Sequence, residues 1–233
     1  MTTSPLTLES LIQLVMTHDE LDQVLDRLER AVTLADRLGE LAENLVGHFV
    51  DESRRSGASW AEIGGRLGVT RQAVQKRFVV ADAGSARFWD RTSKQFSATI
   101  KLAEFAARAR HQTFLGTEHV LLALCEQPRD PATAILASVG IDSRVLRGAV
   151  NGRIGSPTDV PGTSDVPLTA KMLRALQLAK REALKMDTER IETVHLLLAL
   201  LALKEGMANE ILLNLGATYE NVLEAVHVSS QRP

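Results

Sequence analysis

The sequence has little of several residue types that mark particular classes of protein. Its 233 residues include one cysteine, so an internal disulfide is excluded. Cys125 stands in an apolar run, where a small buried side chain is expected rather than a nucleophile. With six Phe, two Trp and one Tyr, aromatic residues are also scarce. The core must therefore be built from Leu, Ala, Val and Ile, as it is in helical bundles.

Long hydrophobic runs and nucleotide-binding loops are also missing. The longest apolar run, His195 to Leu203, is far shorter than the ~20 residues that cross a bilayer. The first residues lack the basic segment and apolar core of a signal peptide. No stretch reads Gly-x4-Gly-Lys-Ser/Thr, the loop that holds ATP phosphates. We therefore expect a cytoplasmic protein that neither unfolds substrates with ATP nor binds a cofactor.

Positive charge is concentrated in one segment, although the net charge of the chain is −2. Between residues 54 and 78 the only acid is Glu62, and the basic residues are Arg54, Arg55, Arg66, Arg71, Lys76 and Arg77. A local basic surface on an otherwise acidic chain is typical of proteins that bind nucleic acid.

The same segment carries the signals of two short helices joined by a glycine turn. Ser59 and Glu62 form a capping box, so the first helix should begin at Trp60. Gly68 should end that helix in a left-handed conformation, with Val69 as a plug between the helices. The residues predicted to face inward are Ile63, Leu67, Val69, Ala73, Val74 and Phe78.

The second helix of this segment then presents polar and basic side chains outward. Arg and Gln make bidentate contacts to base edges, and Lys and Arg neutralise phosphates. The predicted DNA-binding residues are Thr70, Arg71, Gln72, Gln75, Lys76 and Arg77. The spacing resembles the bacterial helix-turn-helix family, which implies double-stranded DNA as a partner. The alternative is a helical hairpin used only for packing.

The first 55 residues have a helical pattern. Apolar residues alternate at steps of three and four: Leu21, Val24, Leu28, Ala31, Ala35, Leu38, Ala42, Leu45 and Phe49. A capping box at Thr17 and Glu20 places one helix start near His18, and Gly39 and Gly47 favour two packed helices over a single rod. The face formed by these apolar residues has two possible roles. It is either a homodimer contact, which a symmetric operator requires, or an intramolecular support for the helix-turn-helix.

The second half of the chain repeats itself. Residues 93–150 align on 169–226 without a gap, with fifteen identities in fifty-eight positions. Each copy is predicted to hold four helices. In the first copy, one ends near Arg110, one begins at His119, one spans 132–138 before Gly140, and one spans 142–150.

The predicted fold class is therefore all-α. The domain organisation is a helical region at 1–80 with the helix-turn-helix at 59–78, a linker at 81–90, a first repeat at 91–150, a linker at 151–167 and a second repeat at 168–228. Both linkers are rich in small and polar residues.

One phrase of the repeat resembles a known family. Residues 115–124 read Leu-Gly-Thr-Glu-His-Val-Leu-Leu-Ala-Leu, and 191–200 read Ile-Glu-Thr-Val-His-Leu-Leu-Leu-Ala-Leu. The phrase and its duplication resemble the double N-terminal domain of Clp unfoldases of the ClpC type, over about residues 91 to 226. The resemblance implies a pseudo-twofold receptor of about eight helices. With the helix-turn-helix, the chain is similar to small ClpC-like proteins of actinobacteria that lack AAA+ ATPase modules.

The resemblance also implies ligands and the residues that hold them. Such domains receive adaptors, phosphoarginine proteins and cyclic-peptide antibiotics, and they serve Clp protease components. The acid of the phrase engages the phosphoarginine guanidinium, and hydroxyls at the start of the first helix hold the phosphate. The implied ligand-binding residues are Thr92, Ser93, Thr117, Glu118 and Thr169.

The two copies are not equal in these residues. The first copy keeps Thr117 and Glu118, whereas the second has Val194 in place of the acid and Glu192 in place of the glycine. Because valine cannot make a charge-assisted contact to a guanidinium, weaker binding is expected there. For Glu118, the alternative role is a carboxylate that favours the positive end of a helix.

No catalytic or metal site is expected. His119 and His195 begin apolar helices in separate copies without a cysteine or carboxylate set, so they are predicted to cap helices rather than to bind metal. No Ser/His/Asp or Cys/His arrangement has coherent spacing. Two functions follow: a DNA-binding regulator whose Clp-like domain senses a ligand, or an adaptor or decoy that binds Clp ligands and modulates the unfoldase-protease.

Overall fold

The described part of the chain is built from α-helices joined by short loops. The computed structural model describes residues 7–16, 24–75, 86–157 and 166–230, and the predicted all-α fold class is confirmed. The chain divides into two compact units, Met1–Arg71 and Gln72–Pro233. Within the described ranges, each helix is too short or too polar to cross a lipid bilayer.

A long amphipathic helix dominates the first unit. Helix α1 (Leu8–Met16) packs on α2 (Val24–Arg55), which continues through Gly39 and Gly47 without a break. A glycine inside a helix costs only about 1 kcal/mol relative to alanine, which a 32-residue helix tolerates. The predicted capping box at Thr17 and Glu20 falls outside the described residues.

The glycine turn after α2 forms as predicted. Helix α3 (Trp60–Leu67) begins with a capping box, in which Ser59 N–H donates to Glu62 Oε2 at 2.7 Å and Glu62 N–H donates to Ser59 Oγ at 3.2 Å. The hydrogen bond from the Ser59 backbone N–H, together with one from the Ser59 side chain, lowers the pKa of the Glu62 carboxyl. Gly68 ends α3 with φ +68°, and α4 (Arg71–Gln75) follows.

The turn approaches α3 closely because residue 64 has no side chain. A Cβ at Gly64 would lie 2.7 Å from the carbonyl oxygen of Val69. The Val69 N–H donates to the Gly64 carbonyl at 2.9 Å, so the turn is fixed through its backbone. A small residue at position 64 is therefore a steric requirement of this turn.

Several apolar side chains of the segment are less buried than predicted. Ile63 and Val74 are buried, but Leu67 and Val69 are each 41% exposed and Ala73 is also exposed. The prediction of Val69 as a plug is wrong, because backbone hydrogen bonds rather than its side chain hold the turn. Phe78 lies outside the described residues.

The second unit contains the duplicated helices. A short helix, α5 (Ala86–Asp90), precedes them. The first copy consists of α6 (Lys94–Arg108), α7 (Thr117–Cys125), α8 (Pro131–Ser138) and α9 (Ser143–Ile154), and the second of α10 (Ala170–Lys185), α11 (Thr193–Ala202), α12 (Met207–Asn214) and α13 (Tyr219–Ser230). The prediction of four helices in each copy is confirmed.

Both predicted linkers are shorter than expected. Residues 86–90 form α5, and Phe88 is only 2% exposed because its ring packs 6.1 Å from that of Phe96. Residues 151–154 belong to the last turn of α9. Because the residues around Phe88 in the sequence are small and polar, the sequence predicted a linker there rather than a core residue.

The two copies share one hydrophobic core. Within each copy the first two helices pack together, α6 on α7 and α10 on α11. Between copies, α7 contacts α12 and α11 contacts α8, which is the same contact with the copies exchanged. Buried residues from 88 to 226 form a single cluster. The duplication therefore forms one pseudo-twofold domain.

Candidate functional site

Two short backbone bridges connect the copies. Leu115 N–H donates to the Pro167 carbonyl and Thr169 N–H donates to the Leu115 carbonyl, both at 2.9 Å. At the equivalent positions, Ile191 N–H donates to the Arg91 carbonyl at 2.8 Å and Ser93 N–H donates to the Ile191 carbonyl at 3.1 Å. Each bridge brings the start of the second helix of one copy beside the start of the first helix of the other.

The bridges regroup the predicted ligand-binding residues. Thr117 and Glu118 lie beside Thr169 of the second copy, whereas Thr92 and Ser93 lie beside the start of α11. Each pair of helix starts therefore combines residues from both copies. We call the first group site A. It consists of Gly116, Thr117, Glu118, Thr169, Lys171 and Gly206.

The starts of three helices meet at site A. Thr117, the first residue of α7, is 2% exposed, and its Oγ1 accepts a hydrogen bond from the Ala208 N–H of α12 at 3.4 Å. Thr169 caps α10, and its Oγ1 accepts from Met172 N–H at 3.1 Å. The N-terminal amides of a helix carry partial positive charge and bind anions. Site A therefore combines polar side chains with the partial positive charge of three helix starts.

Site A also contains an acid and a base. The Glu118 side chain is 17% exposed and folds back over Gly116, where a Cβ would collide with its carboxylate. The Cδ of Lys171 and the Oγ1 of Thr117 both lie 3.4 Å from the point that a Cβ on Gly206 would occupy. Among the described residues, neither Glu118 nor Lys171 forms an ion pair with a side chain of opposite charge, histidine aside. Lys171 is exposed, and the Glu118 carboxylate accepts a long hydrogen bond from Thr117 Oγ1 at 3.5 Å.

The two histidines cap their helices as predicted. His119 Nδ1 accepts from Gly116 N–H at 3.0 Å, and His195 Nδ1 accepts from Glu192 N–H at 2.8 Å. Burial lowers the pKa of both imidazoles, that of His195 to about 4, and for His119 it outweighs the opposing effect of Glu118. The 3.5 Å contact of His119 Nδ1 with Glu118 is therefore not an ion pair at neutral pH. In the described part of the chain, no cluster of His, Cys, Asp and Glu has the makings of a metal site.

The remaining predicted ligand-binding hydroxyls serve the local fold. Ser93 caps α6 by accepting from Phe96 N–H at 3.0 Å. Thr92 donates to the Trp89 carbonyl at 2.8 Å, and its Oγ1 lies 2.9 Å from Ser97 Oγ. Both residues are buried, and Ser93 holds the same capping position in the first copy as Thr169 in the second.

Lys171 and Gly206 belong to site A, although the sequence did not predict them as ligand-binding residues. Lys171 follows the helix-capping Thr169 by two residues, so the sequence does predict that Lys171 lies in the first turn of that helix. Its proximity to Thr117 was not predictable, because it depends on a pairing between copies. Gly206 comes before α12 with φ +92°, a conformation that favours glycine.

The candidate DNA-binding residues are described only in part. Thr70, Arg71 and Gln72 are exposed. Of Gln75 only the backbone is described, and Lys76 and Arg77 lie outside the described residues. Arg54, counted among the basic residues of the segment, stacks its guanidinium 5.0 Å from the Trp60 ring centre and donates to the Ala58 carbonyl. Its role is therefore to pack the start of α3.

The first unit also exposes apolar side chains along α2. We call this surface the α2 stripe; its members are Val24, Leu25, Leu28, Val32, Leu41, Leu45 and Phe49, which are 42–78% exposed. Leu45 and Phe49 also line an open groove of about 580 Å³ between α2 and α3. Exposed apolar surfaces of this extent mark interaction sites.

Comparisons with known proteins identify the family. The model of the Clp repeat (R) N-terminal domain matches residues 91–214 and 168–232. The chain belongs to this family. It is 33% identical over 153 residues to the chloroplastic chaperone ClpC of Pisum sativum, an alignment that covers 66% of this chain and 16% of that protein.

A mycobacterial relative matches more of the chain. The uncharacterized protein Rv2667 of Mycobacterium tuberculosis is 39% identical over 214 residues, which cover 88% of this chain and 81% of that protein. Because 88% of 233 residues is more than the Clp repeat region alone contains, the alignment includes part of the first 90 residues.

Solved structures share the fold of the duplicated domain. The crystal structure of the ClpD N-terminal domain of Arabidopsis thaliana has a TM-score of 0.51 at 23% identity, and it covers 64% of this chain and 99% of that chain. The ClpV N-domain of Vibrio cholerae has a TM-score of 0.52 at 16% identity, covering 61% of this chain and 86% of that chain. These similarities concern the fold.

Proposed function

We propose that the protein is a DNA-binding transcriptional regulator whose Clp N-terminal domain receives a peptide-borne or free ligand at site A. The observation that carries the receptor half is the meeting of three helix starts beside the Glu118 carboxylate and the Lys171 ammonium group, neither of which pairs with an oppositely charged Lys, Arg, Asp or Glu in the described part of the chain. The family match supports a receptor role, because Clp N-terminal domains bind partner peptides and adaptors. We further propose that the chain has no enzymatic activity of its own.

The chemistry of site A suits a ligand with both charges, and phosphoarginine is the first candidate. A phosphate would be attracted by Lys171 and by the helix-terminal amides, and the Glu118 carboxylate would pair with the guanidinium. Cyclic-peptide antibiotics remain a second ligand class that the family resemblance implies. Hydrogen bonds to charged groups contribute roughly 1.5–3 kcal/mol, so loss of the acid should weaken binding at least tenfold.

Calorimetric titration of free phosphoarginine into the full chain tests the receptor half. We expect saturable heat with the natural sequence and at least tenfold weaker binding for Glu118→Gln. The matched control is Glu224→Gln, the same change at an exposed position of α13. Arginine and inorganic phosphate, titrated separately, report each half of the ligand. Equal affinities for both variants would refute the role of Glu118.

The DNA-binding half rests on the exposed start of α4. Arg71 and Gln72 follow a glycine turn on consecutive exposed positions, a placement that would let them reach base edges in a major groove. Glu62, the one acid of the basic segment, is held in the capping box of α3. The second helix would therefore present a basic surface to DNA.

Fluorescence anisotropy on DNA from the upstream region of the protein's own gene tests this half. Arg71→Ala combined with Gln72→Ala should abolish the preference for that site over unrelated DNA, whereas Lys76→Ala should weaken binding to all sequences. Arg144→Ala, which removes an exposed arginine of α9, is the control. Equal binding to every DNA before and after these changes would refute site-specific recognition.

We propose that the regulator is a homodimer formed through the α2 stripe. Val24, Leu28 and Val32 are spaced by four residues, as are Leu41, Leu45 and Phe49 further along, and these exposed side chains could pack against a second copy of α2. A symmetric dimer also matches a symmetric operator.

Sedimentation of the full chain checks the dimer. Leu28→Glu should shift the protein to monomer, since a buried unpaired charge disfavours the interface. Thr33→Glu adds the same charge on the polar side of α2 and should leave the dimer intact. A monomeric natural sequence at micromolar concentration would contradict the proposal.

An adaptor or decoy function is the second candidate. It is favoured by the fact that the second unit contains every residue of site A. In that case the chain would compete with a Clp unfoldase for ligands, without any need for DNA. A competition assay with a ClpC N-terminal domain and labelled phosphoarginine peptide distinguishes the two, because Arg71→Ala should not change the outcome if only the receptor acts.

A further inference from the structure

A second site, equivalent to site A, lies at the start of α11. A shift of 76 residues relates each member of site A to a residue of this site B. Its members are Glu192, Thr193, Val194, Ser93, Gln95 and Asp130. The backbone bridges at the two sites are the same, so differences between them come from the side chains and from the loop before α8 or α12.

The most consequential difference is Asp130 in place of Gly206. Asp130 is 0% exposed, and its Oδ1 caps α8 by accepting from Ala132 N–H at 2.8 Å. At site A the equivalent amide, that of Ala208, donates to Thr117 Oγ1 instead. Site B therefore has a carboxylate where site A has an unfilled position.

Two buried polar atoms of site B have no hydrogen-bond partner among the described residues. They are Oδ2 of Asp130 and Oγ1 of Thr193, and both residues are 0% exposed. Because α8 contacts α11 as α12 contacts α7, the carboxylate of Asp130 belongs to the helix-start cluster that is equivalent to site A. An anion held among helix starts is stabilised by their partial positive charge.

The remaining substitutions also remove ligand-binding groups from site B. Lys171 of site A corresponds to Gln95, and Glu118 corresponds to Val194. Gly116 leaves space for the folded-back Glu118 carboxylate, and its counterpart is Glu192. At these six equivalent positions, site A carries one acid and one base, whereas site B carries two acids and no base. The nearest cations of site B along the chain are Arg91 and Lys94, whose counterparts at site A are Pro167 and Ala170.

We propose that the Asp130 carboxylate occupies, at site B, the place that a ligand phosphate would take. The protein then accepts a phosphorylated ligand at site A alone. This inference rests on the proposed receptor function of site A. An incoming phosphate at site B would meet the buried Asp130 carboxylate, and the uncharged Gln95 stands where site A has Lys171. One copy of the duplication is a receptor, and the other is closed by its own side chain.

Calorimetry on full-length variants that differ only at residue 130 tests the inference. The first variant, Glu192→Gly with Val194→Glu, restores the residues of site A around Thr193 and keeps Asp130. The second adds Asp130→Gly. With phosphoarginine as the probe, we expect one site per chain for the natural sequence and for the first variant, and two sites for the second.

Each outcome decides the inference. Two sites in the natural sequence or in the first variant would overturn the role of Asp130 while leaving the receptor function intact. One site in a folded second variant would overturn it as well. No binding by the natural sequence would overturn the receptor function and this inference with it. If Asp130→Gly prevents folding, Asp130→Asn keeps the cap on Ala132 N–H, removes the charge, and must yield the second site.

Discussion

The buried His195 should make the stability of the receptor domain depend on pH. Its Nδ1 accepts from Glu192 N–H, and its Nε2 lies 3.4 Å from Thr188 Oγ1, so the neutral imidazole is the form that the fold accommodates. Burial lowers its pKa from 6.5 to about 4. Because the unfolded chain binds the proton first as the pH falls, stability is complete above pH 6.5 and is lost progressively towards pH 4.

The size of the effect follows from the same two pKa values. Between pH 7 and pH 5, the free energy of unfolding should fall by about 2 kcal/mol through His195. His195→Asn removes the titrating group, and its amide oxygen can still accept from Glu192 N–H. Urea denaturation of both proteins at several pH values isolates the contribution, because the other titrating groups are common to them.

We expect the natural sequence to lose about 2 kcal/mol more than His195→Asn over this interval. His227→Asn, the same change at an exposed position of α13, is the control. If the natural sequence and His195→Asn lost stability in parallel, the burial argument for His195 would be refuted.

Three further predictions concern stability, each measured by denaturant unfolding. Gly64→Ala should destabilise the first unit by roughly 1–3 kcal/mol, because its Cβ would lie 2.7 Å from a backbone oxygen, whereas Gly65→Ala, with open space around it, should be neutral or stabilising. Thr193→Val should be neutral or stabilising because it removes an unpartnered buried hydroxyl, whereas Thr117→Val should cost roughly 1 kcal/mol through the lost hydrogen bond. Phe88→Ala should destabilise the second unit by about 3–5 kcal/mol, and wild-type stability would contradict its place in the core.

Local signals explain what the sequence predicted well. The capping box of Ser59 and Glu62, the left-handed Gly68 and the histidine caps each involve residues within a few positions of one another. Such contacts leave a readable spacing in the sequence. The eight helices of the duplicated domain were predictable for the same reason, and the duplication supplied each helix twice.

Contacts between distant residues explain what the sequence did not predict. The pairing of Leu115 with Leu168 places Glu118 beside the start of α10 in the other copy. No residue near Glu118 in the sequence indicates this pairing. The roles of Lys171 and Gly206 depend on that pairing. Phe88 was missed because its neighbours in sequence have the composition of a linker, although its ring packs on Phe96.

The central claim joins DNA recognition and ligand reception in one chain. Sequencing the genomic fragments that the full chain retains, with and without saturating phosphoarginine, tests both halves together. We predict an enriched motif that Arg71→Ala with Gln72→Ala abolishes, and an occupancy of that motif that phosphoarginine changes only while Glu118 is present. Retention of the same unselected fragments by every variant, with or without phosphoarginine, would contradict the account.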